Sequence, residues 1–213
     1  MKPISWIKTP FPEKFGVPRQ PLLVMEAIGV MNFPKNDFFS EAFRGIEEST
    51  YLWLIFEFNQ IPDVPFNGLV RPPRFENKVK MGVYATRTPH RPNRLGLSLV
   101  MFQKLEILAD EIRLTVAGVD LVDGTPILDI KPYLPYVEAP SGPSVFSHPP
   151  EFMKVLWDCP KVADHLLIEK VISLDPRPGQ DKNSNQEYAV SIAGLNVKFY
   201  FDGEMFHVVS VEE

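Results

Sequence analysis

Hydrophobic positions along the chain fall into many short runs that are typical of strands rather than helices. Residues 51–58 (YLWLIFEF) combine aromatic and branched side chains over the length of one strand and predict a buried strand. Similar runs occur at residues 22–33, 81–86, 97–108, 111–119 and 126–130. Residues 108–111 (LADE) and 122–126 (VDGTP) carry turn signals between such runs. The pattern predicts a β-barrel or a β-sandwich.

Two segments carry the spacing of amphipathic helices. Residues 37–49 place Phe38, Ala42 and Ile46 on one side and predict a helix in the first half of the chain. Residues 159–174 predict a second helix that ends before the sequence DPRPG, because proline cannot continue a helix. The side chains expected on its inward side are Val162, Leu166, Ile168 and Val171.

A change of composition at residues 138–150 predicts a linker, because Pro, Ser and Gly dominate there. We therefore expect two domains, residues 1–142 and residues 143–213. The second domain contains a strand-like run, the helix of residues 159–174 and three more strand-like runs. This order predicts a small α+β domain with one helix on an antiparallel sheet.

Composition narrows the classes of protein. The chain has 213 residues, 45% of them hydrophobic, which is typical of a folded protein. Its single cysteine, Cys159, excludes an internal disulfide and a cysteine-based zinc site, and it fits a reducing compartment. The N-terminal residues lack the apolar segment of a secretory signal, and no run of about 18 apolar residues occurs. We expect a soluble, cytoplasmic protein.

Charge is distributed unevenly along a chain whose net charge is −5. Residues 60–104 contain eight Lys and Arg against two Asp and Glu, whereas residues 141–213 contain six against eleven. A basic middle within an acidic whole indicates a local anion-binding face, although basic strands that only solvate a surface show the same pattern.

Common cofactor and catalytic motifs do not occur in the sequence. It contains no G-x-G-x-x-G dinucleotide loop, no Walker A loop and no G-x-S-x-G nucleophile elbow. The four histidines lack metal-ligand spacing, so we expect no metal site.

Two loops present arginine between prolines. Residues 17–21 (VPRQP) and residues 85–98 (ATRTPHRPNRLGLS) are braced by proline, which lowers the entropy lost on binding. Arginine recognises carboxylate or phosphate through two points of contact. The loops therefore predict an anionic ligand, and nucleic acid is one candidate.

Three aspartates lie close together in residues 118–130 (GVDLVDGTPILDI). A structural interpretation has Asp120 and Asp129 accepting hydrogen bonds from amides of the turn. Asp123 precedes glycine within the turn, and we expect it to be the most accessible to a ligand.

Several long stretches in the same order resemble the TrmO family, also called YaeB or TsaA-like. They include MGVYATRTPHRPNRLGLS, GVDLVDGTPILDIKPYLPY, EKFGVPRQP, GIEESTYLWLIFEFNQ and VRPPR, and the resemblance covers nearly the whole chain. It implies a homodimeric tRNA methyltransferase that depends on S-adenosylmethionine (SAM). The implied reaction methylates the exocyclic nitrogen of threonylcarbamoyl-adenosine, next to the anticodon in threonine tRNA. The implied fold is a single-sheet β-barrel.

The resemblance also implies site residues. Those expected at the cofactor are Arg19, Gln20, Pro21, Asn59, Gln60, Arg87, Leu97, Val122, Asp123, Gly124 and Thr125. Those expected at the RNA or the modified base are Arg91, Asn93, Lys131, Tyr133, Asp175 and Arg177. Arg91 is the candidate for the threonylcarbamoyl carboxylate. Asp129 and Tyr133 are candidates to assist proton removal, with backbone groups or water as alternatives.

Two positions depart from the usual pattern of the family. Arg94 occupies a position that usually holds proline, and Asn59 one that often holds histidine. If the side chain at position 59 only donates or accepts a hydrogen bond, asparagine can serve. These departures keep open a second hypothesis, a module that binds SAM or RNA without catalysis.

Overall fold

The computed structural model describes residues 1–62, 67–71, 80–140, 151–177 and 186–213. Its first sheet is a closed barrel of six strands whose neighbours are all antiparallel, in the order β1–β2–β7–β6–β3–β8. These strands are β1 (Ser5–Lys8), β2 (Ile28–Pro34), β3 (Tyr51–Glu57), β6 (Leu95–Ile107), β7 (Glu111–Ala117) and β8 (Thr125–Pro132). Two short strands, β4 (Leu69–Val70) and β5 (Met81–Gly82), pair outside the barrel.

The core of the barrel is formed by alternate residues of its strands. In β3, buried Leu52, Leu54 and Phe56 alternate with half-buried residues, so this strand has one inner and one outer face. The buried strand predicted at residues 51–58 is therefore present, with one of its two faces in the core. The turn predicted at residues 108–111 does join β6 to β7, and closure leaves the barrel without a free edge.

The C-terminal sheet is mixed. Its order is β10–β11–β12–β9, with strands β9 (Val155–Trp157), β10 (Tyr188–Ile192), β11 (Leu195–Phe201) and β12 (Phe206–Glu212). Three of the strands are antiparallel as predicted, whereas β9 joins β12 in parallel. The fold class, a mainly β chain with a barrel and a small α+β part, is thus confirmed.

The helices are shorter than their patterns predict. Helix α1 (Asp37–Ala42) is followed by a separate 3-10 turn (Ile46–Glu48), because Gly45 between them adopts φ +83°. A short helix, α2 (Pro135–Glu138), follows β8. Helix α3 (His165–Ser173) packs through Leu167, Ile168, Val171 and Ile172. Leu166 is 55% exposed, so its predicted inward position is wrong.

A strap at residues 9–24 connects the barrel to the C-terminal sheet. The Ala193 amide donates to the Pro10 carbonyl over 2.7 Å. Gly16, with φ +92°, lies so close to Val190 that a side chain there would clash. The predicted boundary between residues 142 and 143 lies outside the described residues and stays a prediction. No helix among the described residues has the length and apolarity to cross a membrane.

Candidate cofactor and RNA site

The register of the barrel brings three connections to one end. Strands β1, β3 and β7 all end at this end of the barrel, and the loops that follow them lie there. We call it the loop end. All of the residues predicted at the cofactor lie on these connections or at the adjoining starts of β6 and β8. The closure of the barrel therefore gathers segments that are up to about a hundred positions apart in the sequence.

The strap and the loop of residues 86–94 meet at this end through side chains. Nη1 of Arg87 donates to Oε1 of Gln20 over 2.8 Å. Next to this contact, the Leu22 amide donates to the Gly118 carbonyl over 2.8 Å. Both predicted arginine loops therefore belong to one site, and Arg87 remains exposed within it.

The turn of residues 122–125 is held against the strap. The amides of Asp123 and Gly124 donate to the carbonyls of Phe11 and Ile7 at 2.7 and 2.9 Å. Oδ1 of Asp123 accepts from the Thr9 amide at 2.8 Å, which commits one oxygen of a residue we expected to face a ligand. Gly124 has φ +73° and open space where a side chain would stand, so a ligand can approach its backbone.

Arg94 acquires a structural role. It has φ +50°, which proline cannot adopt, and its carbonyl accepts from the Phe58 amide at 2.8 Å. Its Nη1 donates to the Ile61 carbonyl at 3.2 Å. Arg94 thereby clamps both sides of Asn59 and Gln60, whose side chains are exposed at the loop end.

Arg91 is partly committed to its own loop. Its Nη1 donates to the carbonyls of Val83 and Thr86 at 3.1 and 2.8 Å, and its guanidinium lies 5.8 Å from the ring of Tyr84. A guanidinium has five N–H donors, so Nε and Nη2 supply three more. Asn93 is exposed on the same loop.

Asp129 and Lys131 lie farther along β8, and Tyr133 directly follows this strand. Asp129 pairs with Ile55, which pairs with Leu97, so Asp129 and Leu97 lie in one row across three strands, about 10 Å apart. Its Oδ2 lies 2.7 Å from Nζ of Lys131. Tyr133 lies four positions beyond Asp129, and its ring centroid is 6.2 Å from that of Tyr51 and 6.1 Å from that of Trp53.

Arg177 does not face solvent. It is 4% exposed, and Nε and Nη2 donate to the two oxygens of Asp175 at 2.7 and 3.1 Å. Its guanidinium lies 4.5 and 5.1 Å from the rings of Phe201 and Phe206. The Asp175 carbonyl accepts from Nη2 of Arg19 at 3.3 Å, so this segment touches the cofactor strap.

Asp120, which the sequence analysis gave only a structural interpretation, also lies at the loop end. It lies between Gly118 and the turn of residues 122–125, and its Oδ1 accepts a short hydrogen bond from Oγ of the fully buried Ser98. Burial raises the pKa of Asp120 to about 6, against the lowering effects of Ser98 and of the positive charge of Arg87. The sequence shows only an acid after an apolar strand, which is an ordinary turn pattern.

The chemistry of the loop end fits SAM. This cofactor carries a carboxylate, an ammonium, a sulfonium and an adenine. The loop end offers a guanidinium from Arg87, a carboxylate from Asp120, an exposed apolar side chain from Leu97 and open backbone at Gly124.

Comparisons with known proteins agree with this description. A family model described as the tRNA-methyltransferase O N-terminal domain matches residues 6–139, and the TrmO C-terminal domain matches residues 152–213. The tRNA (adenine(37)-N6)-methyltransferase of Escherichia coli K12 is 37% identical, over 98% of this chain and 96% of that protein.

Two further relatives come from Pseudomonas aeruginosa. A protein named as the putative S-adenosylmethionine-dependent methyltransferase RcsF is 36% identical, over 94% of this chain and 92% of its own length. The crystal structure of TrmO from this organism has a TM-score of 0.78 and 31% identity, and the match covers 100% of this chain and 98% of that one.

Proposed function

We propose that this chain, which belongs to the TrmO family, is the SAM-dependent enzyme that methylates threonylcarbamoyl-adenosine in threonine tRNA. Family membership over both parts of the chain supports SAM-dependent methylation of the adenine N6 at tRNA position 37. The observation that carries the proposal is the convergence of the expected cofactor segments at the loop end.

The loop end is suited to hold the cofactor in one orientation. SAM supplies an activated methyl group on its sulfonium. The guanidinium of Arg87, steadied by Gln20, binds the methionine carboxylate. Backbone groups of residues 122–125 other than the bonded amides of residues 123–125 read the adenine, because the space beside Gly124 is open. Arg94 holds Asn59 and Gln60 in place at the same end.

The substrate is recognised beside the cofactor. Arg91 keeps Nε and Nη2 as donors for the threonylcarbamoyl carboxylate, which distinguishes the modified base from adenosine. Asn93 and Lys131 are exposed and contact the RNA. Because Arg177 is buried, we assign it and Asp175 an indirect role in RNA binding, through the shape of their segment.

The acceptor nitrogen must lose a proton during transfer. Asp129 lies in the same row across the strands as Leu97, which is expected at the cofactor. Asp129 is therefore better placed than Tyr133 to assist proton removal. Positioning of the two reactants supplies the remainder of the rate enhancement.

We also propose a cytoplasmic homodimer. Large apolar side chains are exposed on the barrel, among them Trp6 at 59%, and a second copy would cover them. The free thiol of Cys159 and a tRNA substrate fit the cytoplasm.

The deciding experiment compares the nucleosides of threonine tRNA from cells with and without this protein. We expect the methylated nucleoside to disappear and threonylcarbamoyl-adenosine to remain. Purified protein and SAM should restore the methyl group in vitro on tRNA that carries threonylcarbamoyl, and not on tRNA that lacks it. An unchanged profile together with no transfer in vitro would reject the enzyme and leave a non-catalytic binding module.

The departure at position 94 gives that alternative little support. The carbonyl of Arg94 accepts a hydrogen bond from the Phe58 amide, and its guanidinium donates to the Ile61 carbonyl. Arg94 therefore stabilises the loop after β3 and is not a sign of lost function.

A further inference from the structure

Asp120 is a half-buried carboxylate at the loop end of the barrel. Ser98 Oγ donates to it, and this neutral hydroxyl is itself fully buried inside the barrel. A carboxylate held in this way costs stability, because a neutral donor compensates only part of its lost hydration. Natural proteins retain such costs mainly where function needs the group.

Three observations place Asp120 inside the expected cofactor site. Ser98 follows Leu97, so the hydrogen bond ties Asp120 to the start of β6. Two residues before it, the Gly118 carbonyl accepts from the Leu22 amide of the strap. Three residues after it, Asp123 opens the turn that packs on the strap.

The charges around Asp120 complete the argument. Arg87 is the positive group that acts on it, from the loop of residues 86–94. The neighbouring strand contributes the neutral Ser98, and the strap contributes Gln20, which is also neutral and bonded to Arg87. Asp123 directs Oδ1 to the Thr9 amide instead.

We propose that Asp120 is a cofactor-binding residue whose carboxylate, oriented by Ser98, accepts the α-ammonium of SAM next to the guanidinium of Arg87. The amino-acid end of SAM bears an ammonium and a carboxylate on the same carbon. A site for it needs an anion and a cation, and the loop end supplies both, with the carboxylate of Asp120 bonded to Ser98 and the guanidinium of Arg87 bonded to Gln20. The inference rests on the proposed function.

The test measures ligand affinity by calorimetry at pH 8 for Asp120→Asn and the wild type. Three probes separate the possible contacts: SAM, S-adenosylhomocysteine, which keeps the amino-acid end and lacks the sulfonium, and 5′-methylthioadenosine, which lacks the amino-acid end. We expect the first two to bind about 10- to 100-fold more weakly to the variant, and the third to bind equally to both proteins.

Each other outcome overturns the inference. Loss of affinity for SAM alone would place the sulfonium at Asp120, and equal loss for all three probes would indicate a structural role. Unchanged affinities with slower methyl transfer would make Asp120 a proton acceptor. If the wild type binds none of the probes, the proposed function fails as well, whereas normal binding by both proteins removes only this inference.

Two further variants guard the result. Asp110→Asn removes a charge from the opposite end of the barrel and should leave all affinities unchanged. Ser98→Ala keeps the carboxylate and removes its orienting hydroxyl. It should weaken SAM and S-adenosylhomocysteine by about 3- to 10-fold, with 5′-methylthioadenosine again unaffected.

Discussion

Asp120 at the loop end is half-buried, whereas Arg177 in the C-terminal part is 4% exposed, and the partners of these two charged groups differ. Arg177 has a two-point ion pair with Asp175 and the faces of Phe201 and Phe206. Asp120 has a hydroxyl from Ser98 and a pKa raised by burial. The first charge is satisfied within the chain, whereas the second remains able to bind a ligand. Burial of a charge therefore indicates function only when its compensation is incomplete.

The largest effect is expected at Arg177. Arg177→Met fills similar volume but removes the buried guanidinium and its ion pair with Asp175, and this should lower the free energy of unfolding by about 3–5 kcal/mol. Urea unfolding followed by tryptophan fluorescence measures the loss, since Trp157 lies in the same part of the chain. A loss below about 1 kcal/mol would show that the pair does not stabilise the fold.

Asp120→Asn should raise the free energy of unfolding rather than lower it. The pKa of Asp120 is raised from 3.8 to about 6, so the neutral acid favours folding below pH 4 and this stability is lost as pH rises to 6. At pH 8 the asparagine variant should therefore be more stable than the wild type, by roughly 1–3 kcal/mol. Urea unfolding at pH 8 and pH 4 tests this, and the gain should vanish at pH 4. If the variant is less stable than the wild type at pH 8, the carboxylate of Asp120 stabilises the fold, as the guanidinium of Arg177 does.

The smallest effect concerns His207, another satisfied group of the C-terminal sheet. Its ring nitrogens lie 2.9 Å from carboxylate oxygens of Asp158 and Asp202, and it stacks on Tyr200. Asp202 above all raises the pKa of His207, so its stabilising contribution is present below pH 6.5 and is lost as pH rises above that value.

His207→Gln should therefore remove a stability difference between pH 6 and pH 8, on the order of a few degrees in melting temperature. Thermal unfolding of both proteins at the two pH values measures it. Tyr200→Phe is a matched control, because it keeps the stacked ring and both carboxylates. If the wild type melts at the same temperature at both pH values, the two hydrogen bonds contribute nothing measurable.

Local sequence was informative where one element decides the outcome. Alternating and aromatic runs predicted five of the six barrel strands and missed Ser5–Lys8, whereas the run at residues 81–86 forms a two-residue strand and a 3-10 turn outside the barrel. Asp-Gly at positions 123–124 predicted a turn that the structure contains. The helix predicted at residues 37–49 is interrupted, because Gly45 permits a left-handed conformation that periodicity does not reveal. The helix at residues 159–174 begins only at His165 and turns Leu167 inward rather than Leu166.

Side-chain partners were beyond local sequence. Arg94 departs from the proline that usually occupies its position, yet its hydrogen bonds hold the loop after β3 in place. Arg177 looked like an RNA contact in a short arginine motif, and its guanidinium is buried under two rings. Both results depend on residues far away in the chain that only folding brings near.

The sequence by itself determined the strand pattern, the turn at residues 122–125 and, through its long motifs, the family. Those features depend on side-chain spacing and on backbone preference, which are local. The tertiary structure alone decided which charges are compensated, because compensation depends on the partners that barrel closure and the strap bring together. It joined Gln20 to Arg87 and Ser98 to Asp120. In the C-terminal part, the folding of the sheet brings Phe201 and Phe206 over the guanidinium of Arg177, which is paired with Asp175.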